Sequence, residues 1–498
     1  MRPIRKILVA NRGEIAVRIF RTAREMGIGT VAVYSEPDAG ACHTRFADEA
    51  FLIGPAAPGE SYLRIGKIID TALRSGADAV HPGYGFLSEN AVFAQAVLDA
   101  GLTFIGPSPS AIRTMGSKLE AKRAAALHQV PLVPGIQTPV ADPAEAVAVA
   151  RDIGFPLLIK ASAGGGGKGM RLVTHQDELH KQLERAQSEA FSAFGDASVF
   201  LERYITRPRH IEFQIVGDNH GNLVHLFERE CSIQRRHQKL IEEAPSSLLT
   251  PELREAMGQA AIRVARACGY TNAGTVEFIV DPDGGFYFLE MNTRLQVEHP
   301  VTELITGIDL VRLQIEIAQG KPLGFRQSDL SIRGHAIEAR ICSENPFDNF
   351  LPDAGLLRQY ELPAGPGVRV DNGYHAGQEV SIHYDPLLAK LIVHAGDRSH
   401  AIERMIRALD EYTVSGIHTT IPFCRFAVDH PAFRSGDFDT GFVAHHFKPD
   451  EYRSTGEHPY DERLAIAAAL HQWENGRHKE NLTGVKPESS WRKNRLEL

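Results

Sequence analysis

The sequence predicts a protein of mixed α/β and α+β class, divided into about three domains. Three observations carry this reading. The first stretch, to about Ile105, alternates buried-strand and amphipathic-helix patterns. From about Gly116 the pattern changes to short strands separated by turns, more antiparallel in character. Between two of those strands lies a run of four glycines.

Residues 6–10 (KILVA) read as a buried strand, followed by an amphipathic helix from about Glu14 to Met26 and a second strand from Thr30 to Tyr34. Strand signals recur at Ala79-Val80 and Thr103-Phe104-Ile105. This rhythm implies a parallel sheet covered by helices. The first turn, Asn11-Arg12-Gly13-Glu14, lacks the GxGxxG of a dinucleotide site, so a nicotinamide cofactor is not supported. Later strands are expected at Pro156–Lys160, Met170–Val173, Val199–Leu201, His210–Ile215, Asn222–Phe227, Thr275–Val280 and Phe286–Leu289. Another β-rich segment starts at Gly334 and closes with a helix near His400 to Tyr412; the tail from about Pro449 is charged, with a helical run from Glu462 to Trp473.

The 498 residues are 43% hydrophobic and 23% charged, which excludes disordered and fibrous classes. A net charge of −8 argues against nucleic acid as the main partner. Cys42, Cys231, Cys268, Cys342 and Cys424 form no CxxC pair, so structural zinc and a disulfide framework are not expected and a reducing cytoplasm fits. Cys231, beside Glu228-Arg229-Glu230, reads as a small buried thiol. The apolar run Ile7 to Ala10 is too short for a signal peptide, and no run approaches the ~18 residues of a membrane span. A soluble protein is expected.

The glycine run, Ala163-Gly164-Gly165-Gly166-Gly167-Lys168-Gly169, lets the backbone approach a ligand and turn its N–H groups towards anionic oxygens. A Walker A loop would need Ser or Thr after Lys168, where Gly169 stands. The strand–loop–strand context also argues against a Rossmann turn. What remains is a hairpin closing over phosphates, with Lys160 at the end of the preceding strand able to meet them. A mobile surface linker is the structural alternative.

Residues 275–291 read as a hairpin around Asp283-Gly284, a strong two-residue turn signal. Opposed residues then sum to 567, which sets Glu277 across from Glu290 with Cβ atoms roughly 5 Å apart. Like charges so placed need a cation between them, and magnesium favours carboxylate plus phosphate oxygens. A one-residue slip would send the two glutamates to opposite faces. Further on, Glu290, Asn292, Arg294, Gln296 and Glu298 alternate along one face; fully extended they would span roughly 26 Å, so a bend after Thr293 is required for a single site.

These strings identify a family resemblance. Asn11-Arg12-Gly13-Glu14-Ile15-Ala16, the run His81-Pro82-Gly83-Tyr84-Gly85-Phe86-Leu87-Ser88-Glu89, the glycine loop, and Glu290 through His299 closely resemble biotin carboxylases, over about residues 4–446. The resemblance implies an ATP-grasp fold with an N-terminal Rossmann-like domain over 1–115 and the ATP-grasp domain over 116–330, its lid at about 131–204. A C-terminal biotin carboxylase domain over 331–446 and a charged tail over 447–498 complete the expected division. It also implies site roles. Lys118, Lys160, Gly166 and Gly167 match phosphate-binding positions; Glu202, Arg203, Tyr204 and Ile205 match the adenine hinge. His210, Gln234, His237 and Ile279 match other nucleotide positions. Glu277, Glu290 and Asn292 match ligands of Mg2+ or Mn2+. Lys239, Arg294, Gln296 and Val297 match the bicarbonate pocket, Glu298 the general base, Arg340 the residue facing the biotin ureido oxygen, and Asp385 a position near it.

The reaction so implied is ATP-dependent carboxylation of carrier-bound biotin through carboxyphosphate, within an acyl-CoA carboxylase such as the acetyl-CoA carboxylase of fatty acid biosynthesis. Partners implied are a biotin carboxyl carrier protein or domain, a second copy of the chain (a homodimer) and a carboxyltransferase subunit. None of the seven methionines precedes a lysine, so a biotin attachment sequence is not seen here. Three alternatives stay open: the keto-acid carboxylases, another ATP-grasp ligase, and a non-catalytic ATP-binding subunit. The last is opposed by the intact set Lys239, Arg294, Glu298 and Arg340.

Overall fold

The computed structural model describes residues 3–136, 140, 143–161, 170–194, 196–450 and 466–473. The chain divides into two units, Met1–His446 and Phe447–Leu498. Gly166 and Gly167 of the glycine loop lie outside the described residues, as does most of the expected tail. In the second unit the described stretch 466–473 is helical. Among the described residues, no helix is long and apolar enough to cross a membrane.

The N-terminal strands form the expected parallel sheet, in the order Glu49–Gly54, Gly29–Ser35, Lys6–Val9, Ala79–His81, Thr103–Phe104. The edge strand Glu49–Gly54 is not among the expected strands; only Ile53 in it is buried, and its other residues are half-buried or exposed. The helix Gly13–Glu25 packs Ile15, Ala16, Ile19, Phe20 and Ala23 into the core, the spacing of one helical face. Strand order reverses beside Lys6–Val9, so the loops leaving Lys6–Val9 and Ala79–His81 diverge and open a crevice at the strands' C-terminal ends. Asn11 bridges that crevice, donating to the carbonyls of Pro82 (2.8 Å) and Tyr84 (2.7 Å). Gly83 has φ +64°, and a Cβ there would lie 2.9 Å from the Asn11 amide, so this close approach requires glycine.

The rest of the first unit is built on one eight-stranded antiparallel sheet. Its order is Phe286–Asn292, Asn272–Val280, Arg209–Gly217, Leu223–Arg235, Gln238–Ala244, His335–Cys342, Leu387–Ala395, Val368–Asn372. The sheet runs continuously past residue 330, so the β-rich segment after Gly334 adds strands to it. Its central strands alternate apolar and polar residues. Ile211, Phe213, Ile215, Val276, Phe278 and Phe288 face a core shared with the helix Pro251–Ala267. Their neighbours His210, Glu212, Gln214, Thr275 and Glu277 point the opposite way, as the period-two geometry of a strand demands.

The Glu277–Glu290 pairing is present, but not through the expected turn. Val280 pairs with Phe286, leaving a five-residue loop in which the Asp281 carboxylate accepts from the Asp283 and Gly285 N–H groups. Near this loop, paired residues sum to 566; a shift between Glu277 and Phe278 restores 567, so Glu277 meets Glu290 and Thr275 meets Asn292. One extra residue, Leu289, is accommodated as a bulge. Without it, Glu290 would face the other side of the sheet. Beyond Asn292 the strand ends, and the chain bends at Thr293 as the length argument required.

A smaller antiparallel sheet, ordered Met170–Val173, Leu157–Ala161, Val199–Arg203, carries the helices Pro143–Ile153 and Gln176–Phe194. Leu157, Ile159, Leu179, Leu183 and Leu201 give it a core of its own.

An ionic clamp fastens the large sheet to the helix Arg398–Glu411. Glu243 accepts from His335 Nε2 (2.8 Å) and from Arg398 Nε (2.7 Å) and Nη2 (3.1 Å). Burial raises its proton affinity, but the His335 hydrogen bond and the Arg398 charge outweigh burial and hold the carboxyl at about 2, against an ordinary 4.5. A depressed folded-state value contributes stability above the unfolded value that is lost as pH falls through the folded one. Glu243→Gln should therefore destabilise the protein by about 3 kcal/mol at neutral pH. In urea unfolding, the difference from wild type should be full above pH 4.5 and shrink towards pH 2. Equal neutral-pH stabilities would show that the clamp carries no weight.

Candidate active site

The polar face of the large sheet gathers the expected residues around Lys239. This lysine follows a tight turn in which Arg236 (φ +49°) and His237 (φ +66°) both adopt left-handed backbone. Its ammonium donates to Glu212 Oε2 (2.5 Å), Glu277 Oε1 (3.0 Å) and Glu298 Oε1 (2.7 Å). Burial disfavours its charge, but Glu212, Glu277 and Glu298 more than offset this and raise its proton affinity well above the usual lysine value. On the far side of Glu298, Arg340 Nη2 donates to Oε2 (2.8 Å) while Arg340 Nε holds Glu242 Oε1 (2.6 Å). Glu298 is thus bridged between two half-buried cations. Burial pushes its carboxyl up, yet Lys239, Arg340 and Arg229 bring it well below the ordinary range.

Glu277 is similarly enclosed. Its Oε1 accepts from Asn292 Nδ2 (2.8 Å) and Gln296 Nε2 (2.8 Å) in addition to Lys239, and its Oε2 lies 3.0 Å from His210 Nε2. Burial opposes the charge, but Lys239 and His210 keep the carboxyl well below 4.5. Glu290 moves the opposite way: burial, then the charge of Glu277 across the strand pair, raise it. Two opposed acids whose proton affinities are driven apart fit a divalent cation, which relieves the repulsion; Asn292 stands next to them, with its Nδ2 on Glu277 and its Oδ1 accepting from Arg294. His210, Glu212 and Glu277 also bring potential ligand atoms within 4.8 Å of one another. Lys239 already neutralises two members of that set.

Arg229 was not singled out by sequence reasoning, although it lies in the charged run Glu228-Arg229-Glu230. Fully buried, it donates to Glu212 Oε1 (2.5 Å), Gln214 Oε1 (2.8 Å), Thr302 Oγ1 (2.9 Å), Thr275 Oγ1 (3.0 Å) and Gln296 Oε1 (2.7 Å). All five guanidinium donors are satisfied. Its place between Glu228 and Glu230 is visible in the sequence, but its burial is not.

Arg294 turns towards the N-terminal sheet. Its Nε donates to Glu89 Oε2 (2.8 Å), and its Nη2 to Asn292 Oδ1 (3.1 Å); Glu89 Oε1 also accepts from the Thr293 N–H (3.0 Å). The His81–Glu89 string is therefore tied to the Glu290–Glu298 string. Val297 presents its carbonyl to Lys390 Nζ (2.8 Å).

Towards the smaller sheet, Lys160 Nζ lies 2.5 Å from Glu202 Oε2, and Lys122 pairs closely with Glu202 Oε1. Lys122 escaped the sequence reading because an alanine-rich helix with lysines normally presents them to water. Lys118 opens that helix, Lys118–Leu127, and its charge reaches Glu290. The Arg203 and Tyr204 N–H groups are bonded to Pro134 and Pro156 carbonyls, and Ile205 follows in the same connection. Ile279 pairs with His210, an apolar residue on the otherwise polar face. Gln234 pairs with Lys239. Exposed His237 is lowered by partial burial and by the charges of His210 and Lys160. Asp385 is exposed and accepts from the Leu387 N–H (2.9 Å); its charge is felt at Cys342 and Glu344, and none of the Arg340 hydrogen bonds involves it. A cavity of about 380 Å³ elsewhere, lined by Arg18, Glu303, Asp309 and Arg369 among others, shares no residue with this cluster. Chemistry, not cavity size, locates the site.

Removing Arg229 leaves Glu212 short of one of its two cations in a fully buried position. Arg229→Met should cost about 3–5 kcal/mol in urea unfolding; a loss below 1 kcal/mol would refute its structural weight.

Residues 3–112 match the family described as biotin carboxylase, N-terminal domain. Residues 117–326 match carbamoyl-phosphate synthase L chain, ATP binding domain, and residues 338–445 match biotin carboxylase C-terminal domain. A pyruvate carboxylase subunit of Methanothermobacter thermautotrophicus is 55% identical over 448 residues, 90% of either chain. The biotin carboxylase of Halalkalibacterium halodurans is 51% identical over 455 residues, 91% of this chain and 100% of that one. The biotin carboxylase domain of Hydrogenobacter thermophilus 2-oxoglutarate carboxylase was solved as a dimer with ADP, magnesium and bicarbonate. It matches with a TM-score of 0.85 at 48% identity, over 90% of this chain and 98% of that one. With a parallel N-terminal sheet, an ATP-grasp sheet whose polar face bears the charged cluster, and similarity along nearly the full length of these relatives, the chain belongs to the biotin carboxylase family.

Proposed function

We propose that this chain carboxylates carrier-bound biotin with bicarbonate and ATP. The observation that carries the reading is Glu298, a buried carboxylate kept ionised between Lys239 and Arg340 and beside the opposed pair Glu277 and Glu290.

Glu277, Glu290 and Asn292 would hold a divalent cation, which when bound neutralises phosphate charge during phosphoryl transfer. Lys118, Lys160 and the amides around Gly166 and Gly167 bind the phosphates. Glu202 through Ile205, together with Ile279, Gln234, His210 and His237, line the nucleotide's place. Arg294, Lys239, Gln296 and Val297 receive bicarbonate, the arginine through its planar fork. An anion entering there takes up donor capacity that Lys239 gives to Glu298, which makes Glu298 a stronger base when substrate is present. Glu298 then removes the bicarbonate proton, and the freed oxygen attacks the γ-phosphorus as the bond to ADP breaks. The carboxyphosphate so formed divides into CO2 and phosphate. That phosphate takes the ureido N–H proton, Arg340 stabilises the developing negative oxygen, and the nitrogen bonds to CO2.

The partner enzyme is proposed as an acyl-CoA carboxylase, in which a separate carboxyltransferase chooses the acceptor, with this chain acting as a homodimer. A keto-acid carboxylase is the second reading, favoured by the similarity to the Methanothermobacter pyruvate carboxylase chain and to the 2-oxoglutarate carboxylase domain.

Glu298→Gln should reduce bicarbonate-dependent ATP cleavage at least about a hundredfold while nucleotide affinity stays within about twofold. Normal turnover would remove Glu298 from the role of base. Free biotin should stimulate ATP cleavage in the wild type, and an absence of stimulation would point to another ATP-grasp ligase. Co-purified partners, supplied with labelled bicarbonate, should label acetyl- or propionyl-CoA; label in pyruvate or 2-oxoglutarate instead would establish the keto-acid reading.

A further inference from the structure

Behind Arg340 lies a second pair of opposed acids that the proposed reaction does not use. Glu242, on strand Gln238–Ala244, stands directly opposite Glu338, on strand His335–Cys342. Both are fully buried. Residues opposed on antiparallel strands hold their Cβ atoms roughly 5 Å apart. Glu242 Oε1 accepts from Arg340, but Glu242 Oε2 and both Glu338 oxygens have no hydrogen-bond partner among the described residues. Two ionised carboxylates cannot bond to each other, since neither has a hydrogen to give.

The cations nearby are committed elsewhere. Arg340 serves Glu242 and Glu298. Lys239 serves Glu212, Glu277 and Glu298. Lys390, on the next strand, lies 3.4 Å from Glu14 and 3.7 Å from Asp371, and its Nζ donates to the Val297 carbonyl. Among the described residues, the other titratable groups acting on the pair are Glu298, a further acid, and the buried thiols Cys231 and Cys424, none of which supplies positive charge. Two full negative charges at Glu242 and Glu338 would therefore have only Arg340, already shared with Glu298, to balance them.

We propose that Glu242 and Glu338 hold one proton between them, resident on Glu338 and donated towards Glu242 Oε2, and that this singly charged pair positions Arg340. The arrangement resolves every orphaned oxygen but one and leaves a single carboxylate to hold Arg340 Nε, so that Nη2 remains on the Glu298 side. The electrostatics agree. Burial, and then the charge of Glu242, raise Glu338 well above the ordinary range against the pull of Lys390. Burial raises Glu242 to about 7 even with Arg340 attached. Like acids at one site behave this way when both cannot ionise. Glu242 and Glu338 are positioning residues, acting on substrate only through Arg340. The consequence for biotin rests on the role proposed for Arg340; the shared proton does not.

Infrared difference spectroscopy of the full chain with 13C-labelled glutamate tests the proton directly. Wild type minus Glu338→Gln at neutral pH should show one protonated-carboxyl band that shifts in D2O; its absence overturns the proposal. The consequence is read kinetically with free biotin. As the pair loses its proton at alkaline pH, the second charge draws Arg340 back, and the KM for biotin should rise about tenfold with little change in the KM for ATP. Glu338→Gln, unable to ionise, should abolish that rise. A rise that persists in the variant refutes the coupling to Arg340. Should Glu338→Gln fail to fold, the wild type decides: a carboxyl band must fade over the interval in which the biotin KM rises, and a flat KM there overturns the positioning role.

Discussion

Arg229 directs five N–H donors to Glu212, Gln214, Thr275, Gln296 and Thr302, and the active face is arranged around that one buried guanidinium. Three adjacent strands, the Gln296 loop and the helix His299–Thr306 converge on it. The fork is planar and its five directions are fixed, so the acceptors have little freedom to move. Gln296, held on one side by Arg229, turns its amide N–H to Glu277. Glu212, held on one side by Arg229, turns its other oxygen to Lys239. Through these two intermediaries the buried arginine sets both Glu277 and Lys239.

The charged cluster exists because one side of the sheet is apolar. Ile211, Phe213, Val276 and Phe278 bury against the helix Pro251–Ala267, and this apolar layer fixes the sheet. Strict alternation then forces their neighbours onto a common opposite face. Ions there are dehydrated, so each acid needs a cation and each cation an acid. Lys239 and Arg340 bridging Glu298, and Arg229 and Lys239 on Glu212, are separate solutions to the same requirement; on the sheet's other face Arg398 and His335 do the same for buried Glu243. Where the cations run short, at Glu242 and Glu338, a proton supplies the balance.

The Glu277–Glu290 pairing shows how a sequence inference can reach the right contact by an incomplete route. The two-residue turn at Asp283-Gly284 does not form, since Asp281 organises a longer loop with its own carboxylate. The bulge at Leu289 then corrects the register. Turn chemistry is local and legible; whether a bulge forms depends on packing on both faces of the finished sheet. Lys122 and Arg229 were missed for a related reason. Nothing in the order of residues says that a helical lysine will face Glu202, or that an arginine between two glutamates will be fully buried.

By itself the sequence determined the parallel N-terminal sheet, the antiparallel character of the strands after Gly116, the bend after Thr293, and the strings that mark a biotin carboxylase. These depend on periodicities and local turns, and on motifs that lie contiguous in the chain. The tertiary structure decided which charges meet. It joined the strands after Gly334 to the central sheet, which brought Arg340 to Glu298 and set Glu338 against Glu242. It bound Glu89 to Arg294 across 205 positions. Such pairings follow from strand order and register, which are set by the burial of whole faces; no stretch of neighbouring residues encodes them.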